Sequence, residues 1–408
     1  EGLTFVGMVG MKDPARPEAA GAVARFRDAG VSTVMITGDH VDTAFAIGKQ
    51  LGIVSRPEQC LTGEAVAHLD EERFLQKLDT VRVFARVSLE NAENYISLEG
   101  LDEKTVAEIA MKYTVFGRVS PEQKAVLVKA IKKAGHTVAM TGDGVNDAPS
   151  LKAADIGIAM GMTGTDVAKQ ASDIILTDDN FATIEKAIVE GRGVYENIKK
   201  SVIFLLSSNL GEIMTMFLAV LCGLASPLKS SHILWINLIT DSLPALALGV
   251  DNNDADGLMR RPPRDPKESL FAGGGLACTC FYGLLIAGIS LAAFFTIPYA
   301  VILERQIPLT INNFATVLQH EAILNRAQTY AFTVLGMSQL FHAVGMRDVR
   351  KSIFKMKHFD NKLMIAACVL GFLLQFAVTE IPFLTAAFGT AHLTLREWLR
   401  LAFLASFP

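Results

Sequence analysis

An open α/β domain of Rossmann type, followed by a bundle of transmembrane α-helices, is the architecture this 408-residue chain predicts. Three observations predict it. Up to about Lys200, short apolar runs alternate with charged, amphipathic ones, as in a βαβ succession. Beyond Lys200 come apolar runs near the ~20 residues that span a bilayer. Within the first region lies Met140-Thr141-Gly142-Asp143-Gly144-Val145-Asn146-Asp147-Ala148-Pro149, where a strand should open into a helix. A loop of that kind lies at the crevice beyond strand carboxyl ends, which is where open α/β sheets bind ligands.

Strands are expected at Phe5–Met8, Thr33–Ile36, His136–Met140, Ile156–Met160 and Asp173–Leu176. Helices are expected at Pro17–Ala29, Asp42–Leu51, Pro121–Ala134 and Ala182–Gly191. Their alternation argues for a parallel sheet covered on both faces. In Ile36-Thr37-Gly38-Asp39 a hydroxyl and backbone amides at a strand end suit phosphate oxygens; Asp39 or Asp42 as a helix N-cap is the plainer use. Ser120-Pro121-Glu122-Gln123-Lys124 starts a helix with proline in its first turn, one turn before Lys124. A lone lysine on a helix is usually solvated, but this one could reach the sheet edge. Asp143 and Asp147 suit a hard cation such as magnesium, which takes oxygen ligands and bridges to phosphate. Gly-Asp-Gly alone would be an ordinary turn.

Taken together, Lys12-Asp13-Pro14, Thr37-Gly38-Asp39, Lys124 and Thr141–Asp147 resemble the phosphorylation domain of the P-type ion-pumping ATPases, a haloacid-dehalogenase-like fold. The resemblance covers almost the whole chain. It implies that Asp143 binds the catalytic magnesium, with Asn146 and Asp147 supporting the ion and the phosphoryl group. It implies that Thr37 and Gly38 hold phosphoryl oxygens and that Lys124 neutralises their charge. Asp39 and Asp13 would line the ATP side or brace the loops. The implied chemistry is phosphoryl transfer through an aspartyl-phosphate, driven by positioning and electrostatics. The family's Asp-Lys-Thr-Gly-Thr nucleophile segment does not occur here, and Met162-Thr163-Gly164-Thr165-Asp166 echoes it only superficially. The chain is therefore expected to be a carboxyl-terminal fragment that cannot hydrolyse ATP alone, its partner being the amino-terminal half of the same pump. One oddity is internal: Val83–Ser88 is nearly repeated as Val115–Ser120, so that 83–120 reads as a helical insertion or as a recombined segment.

The apolar runs are Val202–Leu224, Ile233–Val250, Leu276–Ala300, Tyr330–Met346, Leu363–Val378 and one from Trp398 onward. They predict domains at 1–198 and 199–408, the second with five complete spans and a truncated sixth. Lys199 and Lys200, Arg260–Lys267 and Arg347–Lys357 fall on one side if the spans alternate, which puts the α/β domain in the cytoplasm. Ionisable groups inside a bilayer are costly and usually functional. Asn209 and Glu212 share one helix face; Asn237, Thr240 and Asp241 share another, just before Pro244. Facing each other, they would form an all-oxygen cage for a hard cation such as calcium. Interhelical polar contacts account for Asn209 or Thr240 alone, but poorly for Glu212 with Asp241.

Ser207–Glu212, Asn237–Pro244 and Arg260-Arg261-Pro262-Pro263-Arg264 resemble the calcium-pump branch, similar to the sarcoplasmic/endoplasmic reticulum pump. That branch has a glutamate in its fourth span where this chain has Gln339, which implies one strong calcium site and a weakened second. The implied function is ATP-driven cation export, of calcium foremost, by a multi-pass protein of a bacterial plasma membrane. The alternatives are another cation, or an inert phosphatase-like domain on a membrane anchor. Asn252–Gly257 looks like the start of an EF-hand loop, but Pro263 stands where the last ligand should be. His342 is expected to be packed. The five cysteines show no pairing framework and read as small buried thiols. The net charge of −4 selects no partner, and no nucleic acid is expected.

Overall fold

The structure is a computed structural model that describes residues 15–37, 41–56, 60–62, 83–85, 115–117, 121–133, 135–265, 267–349, 351, 355–356 and 358–408. The expected strand Phe5–Met8, the motif residues Lys12, Asp13, Pro14, Gly38, Asp39 and His40, and most of the 83–120 segment lie outside the described residues. The chain divides into two compact units, 1–190 with 255–266, and 191–254 with 267–408. That division lies upstream of position 198 and takes 255–266 into the first unit.

The first unit begins with α1 (Pro17–Asp28), which has proline at its start, Glu18 in the first turn and Arg25 and Arg27 in the last. Each placement complements the helix dipole or the unpaired amides. Ala22, Val23 and Phe26 form its buried face. Then follow β1 (Met35–Thr37), α2 (Val41–Gln50), β2 (Cys60–Thr62), β3 (Val83–Ala85), β4 (Val115–Gly117) and α3 (Pro121–Lys133). Next come β5 (Ala139–Gly142), a 3-10 turn (Val145–Asp147), α4 (Ala148–Ala153), β6 (Ile156–Met160), α5 (Asp166–Ala171) and β7 (Ile174–Leu176).

All pairings among the described strands are parallel, as the alternation predicts. In place of one sheet, the described strands form three ladders: β1 with β4, β2 with β3, and β5-β6-β7. Most of these strands are three residues long, enough for only one or two rungs. β6 is central in the largest ladder, and Gly157, Ile158 and Ala159 are buried in it. Ile158 and Leu176 join Ala22, Phe26 and Ile184 in one apolar core.

A single helix, α6 (Thr183–Leu221), runs for 39 residues. It merges the expected helix Ala182–Gly191 with the first apolar run, because no proline interrupts 183–221 and isolated glycines only weaken a helix. The second apolar run is broken instead. It forms α7 (Ser230–Trp235), a π-helical turn (Ile236–Thr240) and α8 (Ser242–Gly249). Pro244 has no N–H to offer the Thr240 carbonyl, and the Asp241 N–H donates five residues back to Ile236 O at 3.0 Å. The short α9 (Ala255–Met259) belongs to the first unit. The second continues with α10 (Gly275–Glu304), α11 (Ile311–Val317), α12 (Glu321–Met346), α13 (Lys362–Glu380), α14 (Pro382–Phe388) and α15 (Leu395–Ala405).

By length and composition, α6, α10 and α13 suffice to cross a membrane. The fourth apolar run lies in α12, which is buried without interruption from Ala327 to Leu340. A helix enclosed on all sides has no lipid-facing stripe and can carry polar groups; Gln328, Thr329, Thr333, Ser338, Gln339 and His342 are all buried there. Close approach of α6 and α10 needs two glycines. A Cβ on Gly211 would sit 2.8 Å from the Ile286 side chain, and one on Gly283 would sit 2.8 Å from Leu210. His342 is packed, bonded to Ser207 Oγ at 2.7 Å and set against the rings of Phe204 and Tyr282. The expectation of buried thiols is corrected: Cys222 and Cys280 are exposed, and Cys278 and Cys368 are half-buried. Cys222 follows the last residue of α6, while Cys278 and Cys368 pack at the edge of the apolar cluster around Phe204 and Leu248; an apolar run alone does not decide which of its residues face inward.

Candidate functional site

Two sites emerge, one in each unit. In the first, β5 ends at Gly142 and the chain turns through Asp143 and Gly144 into the 3-10 turn. Asp147 closes this turn. Its Oδ1 pairs with Lys124 Nζ at 2.7 Å, and its Oδ2 accepts the Gly144 N–H at 3.3 Å. The glycine at 142 is obligatory for this arrangement, because a Cβ there would lie 2.5 Å from Asp147 Cβ. Asp143 and Asn146 are exposed beside the pair. The Asp143 carbonyl accepts the Thr165 N–H at 2.8 Å, which ties the turn to the loop after β6. Thr37 is the last residue of β1, in register with Gly117. The donor set that Asp143 and Asp147 offer is all oxygen, fitting a hard divalent cation.

The Thr163-Gly164-Thr165 segment has its own structural task. Asp179, 4 % exposed, accepts the Met162 N–H at 2.9 Å, the Thr163 N–H at 2.7 Å and the Thr163 hydroxyl at 2.8 Å. These bonds, that from the Met162 amide foremost, hold its carboxyl down at about 2. Thr165 then caps α5 by accepting the Ala168 N–H. In the sequence, Asp179 shows only as part of an Asp-Asp-Asn turn after a strand.

In the second unit, Glu212 of α6 is buried and bridges two other elements. Its Oε2 accepts the Asn237 amide at 2.9 Å, and its Oε1 accepts the Gln339 amide of α12 at 3.4 Å. Gln339 Oε1 in turn accepts the Thr240 hydroxyl at 3.2 Å. Asp241 follows directly, 1 % exposed, and both its carboxylate oxygens are buried without a hydrogen-bond partner. The structure thus brings Glu212, Asn237, Thr240 and Gln339 into one network with Asp241 adjoining. Asn209 donates its amide to Leu205 O of its own helix at 2.9 Å. Among the described residues no group of three or more His, Cys, Asp or Glu forms; the donors are two acids, amides and a hydroxyl. A buried carboxylate without partners is costly by several kcal/mol unless a counter-charge meets it. The π-helical turn carrying Asn237 and Thr240 is a feature concentrated at functional sites.

Residues 3–155 match the family model of the haloacid dehalogenase-like hydrolases, and residues 225–408 match that of the cation transporting ATPase C-terminus. Calcium-transporting ATPase 1 of Bacillus cereus is 46% identical over 98% of this chain and 40% of its own length. The calcium-transporting ATPase of Bacillus subtilis is 40% identical over 100% of this chain and 40% of its own length. The rat calcium-transporting ATPase type 2C member 2 is 35% identical over 99% and 37%. The chain belongs to the P-type cation-transporting ATPases. It spans about 40% of the length of the curated relatives it matches.

Two further features of this P-type ATPase chain escaped the sequence. One is Asp251, buried just past α8. Its Oδ1 accepts Arg347 Nε at 3.0 Å and the Asn361 amide at 2.9 Å, and its Oδ2 lies 3.6 Å from Lys200 Nζ. Its carbonyl accepts the Asn197 amide at 2.8 Å. It immediately precedes the Asn252–Gly257 stretch that mimics an EF-hand. The other is Gln375 of α13, fully buried with neither amide atom paired.

Proposed function

We propose that this chain is the carboxyl-terminal part of an ATP-driven calcium pump that works through an aspartyl-phosphate, its nucleophile supplied by sequence outside these 408 residues. The observation that carries the reading is Asp241, a buried carboxylate with no partner, adjoining the Glu212–Asn237–Thr240–Gln339 network. A divalent cation with oxygen ligands is the counter-charge that such a set accommodates. Gln339 is neutral and bonded at both ends, so we assign one strong calcium site, built on Asn237 and Asp241.

In the first unit, Asp143 and Asp147 would hold magnesium. The bound ion would supply positive charge against phosphoryl oxygens during transfer from ATP. Lys124 keeps the Asp147 carboxylate in place and brings its own ammonium to the same turn. Thr37, with Gly38, would hold phosphoryl oxygens at the end of β1, and Asn146 would support them. Asp13 and Asp39 are assigned to the ATP side. Lys199, Lys200 and the basic residues at 260–267 and after 347 support a cytoplasmic first unit and a multi-pass placement in a bacterial plasma membrane.

The test is calcium-stimulated ATP hydrolysis and calcium uptake by the full-length protein in vesicles. Asp241→Asn is expected to abolish both while leaving the protein folded. Full calcium stimulation in that variant would sink the reading. Two tightly bound calcium ions per molecule of the unmutated protein would sink the one-site assignment alone.

A further inference from the structure

The cation network leaves a second, independent observation unexplained. Gln375 sits in the middle of α13, a helix apolar enough to cross a membrane, and is 0% exposed. Both Gln375 Oε1 and Nε2 are buried without a hydrogen-bond partner. An amide placed to join two helices would bond to the second helix, and this one does not. Buried polar atoms left unpaired are rare in native proteins and ask for an explanation.

The position of Gln375 supplies one. A Cβ built on Gly336 of α12 would lie 3.0 Å from Gln375 Oε1 and 3.8 Å from Thr240 Cγ2. Gln375 and Thr240 therefore flank the same bare patch of α12 backbone. Gln339 stands one turn further along that face, where it accepts the Thr240 hydroxyl. Thr333, one turn before Gly336, is also buried with its hydroxyl unpaired. The glycine thus lets an amide from α13 reach the edge of the network that α6, the π-helical turn and α12 already share.

We propose that Gln375 is a further determinant of cation binding: its amide oxygen joins the Thr240–Gln339 side of the site, so that α13 contributes a neutral ligand. This rests on the calcium-site reading above. A neutral amide oxygen is a normal calcium ligand and adds no charge to a site that already holds two acids. It also sets selectivity, because the reach of a side chain clamped over Gly336 fixes the size of ion it serves.

The test is equilibrium binding of radioactive calcium, with strontium competition, to the full-length protein in lipid nanodiscs. Asp241→Asn serves as the reference and is expected to lose binding. Gln375→Leu keeps the size of the side chain and removes its oxygen. It is expected to weaken calcium about fivefold to tenfold, with full stoichiometry regained at high calcium and an altered calcium-to-strontium ratio. Gly336→Ala, which pushes the amide away, is expected to do the same. Gln375→Glu is expected to bind calcium at least as tightly as the unmutated protein, with a changed strontium ratio. If Asp241→Asn loses binding while the Gln375 and Gly336 variants keep affinity and ion ratio, the proposal is overturned and the calcium site stands. If Asp241→Asn itself binds normally, the calcium-site reading falls. Should Gln375→Leu fail to fold, an unchanged ion ratio in Gln375→Glu overturns the proposal by itself.

Discussion

Gly142 shows how a single missing methyl shapes the acidic turn after β5. Asp147 folds back over the strand end into space a Cβ would fill, and only there does it meet Lys124 and the Gly144 amide. Gly142→Ala is therefore expected to displace the Asp147 carboxylate, cost about 1–3 kcal/mol of stability by overpacking, and cut phosphoenzyme formation in the full-length protein more than Lys124→Met does. Phosphoenzyme yield and thermal unfolding measure the two effects. Asp179 gives a prediction in pH. Its folded carboxyl is held at about 2, below the ordinary value of 3.8. The unfolded chain therefore takes up the proton first as pH falls. The stabilisation is complete above about pH 4 and is lost on the way down to about pH 2. Asp179→Asn is expected to be less stable at neutral pH, and to lose less stability than the unmutated protein across that acid window in unfolding titrations. Both aspartates were present in plain sight in the sequence. Asp147 was legible because its motif resembles a known site, whereas Asp179 acts through the backbone of a loop sixteen residues away, which no local pattern records.

At the scale of elements, helix boundaries followed local signals and helix interruptions did not. α1 and α3 begin at Pro17 and Pro121, as proline in a first turn dictates. The π-helical turn at Ile236–Thr240 depends on Pro244 and on what the freed groups can bond, so an apolar run alone did not disclose it. Asp251 binds such elements together. It receives Arg347 from the end of α12, Asn361 from the start of α13, and Lys200 and Asn197 from α6. Asp251→Asn would leave two largely buried cations without their carboxylate. It is expected to cost about 3 kcal/mol, read as a lowered unfolding midpoint in detergent, and Asp251→Glu should recover part of it. Asn253→Ala, which removes amide contacts to Gly193, Asn197, the Asp251 carbonyl and the Lys200 ammonium but leaves the Asp251 carboxylate in place, is expected to cost less, about 1–2 kcal/mol.

At the scale of the whole molecule, one polypeptide carries an acidic turn suited to phosphoryl transfer and, among its apolar helices, a polar network suited to a cation. The purified 408-residue chain is expected to form no acid-stable phosphoenzyme from labelled ATP, because no Asp-Lys-Thr-Gly-Thr segment occurs in it; labelling of the chain alone would contradict this. By itself the sequence determined the class of the fold, the acidic turn after β5, and which intramembrane residues carry charge. Those features are encoded locally, in periodicity, in turn residues and in the cost of placing a carboxylate among apolar side chains. Only the tertiary structure decided which of the polar residues meet. It joined Glu212 to Gln339, which is 127 residues away, turned Asn209 back on its own helix, and brought Gln375 over Gly336. Such pairings depend on how separate helices rotate and how closely they approach. Both are set by packing summed over many side chains, and no short stretch of sequence contains that sum.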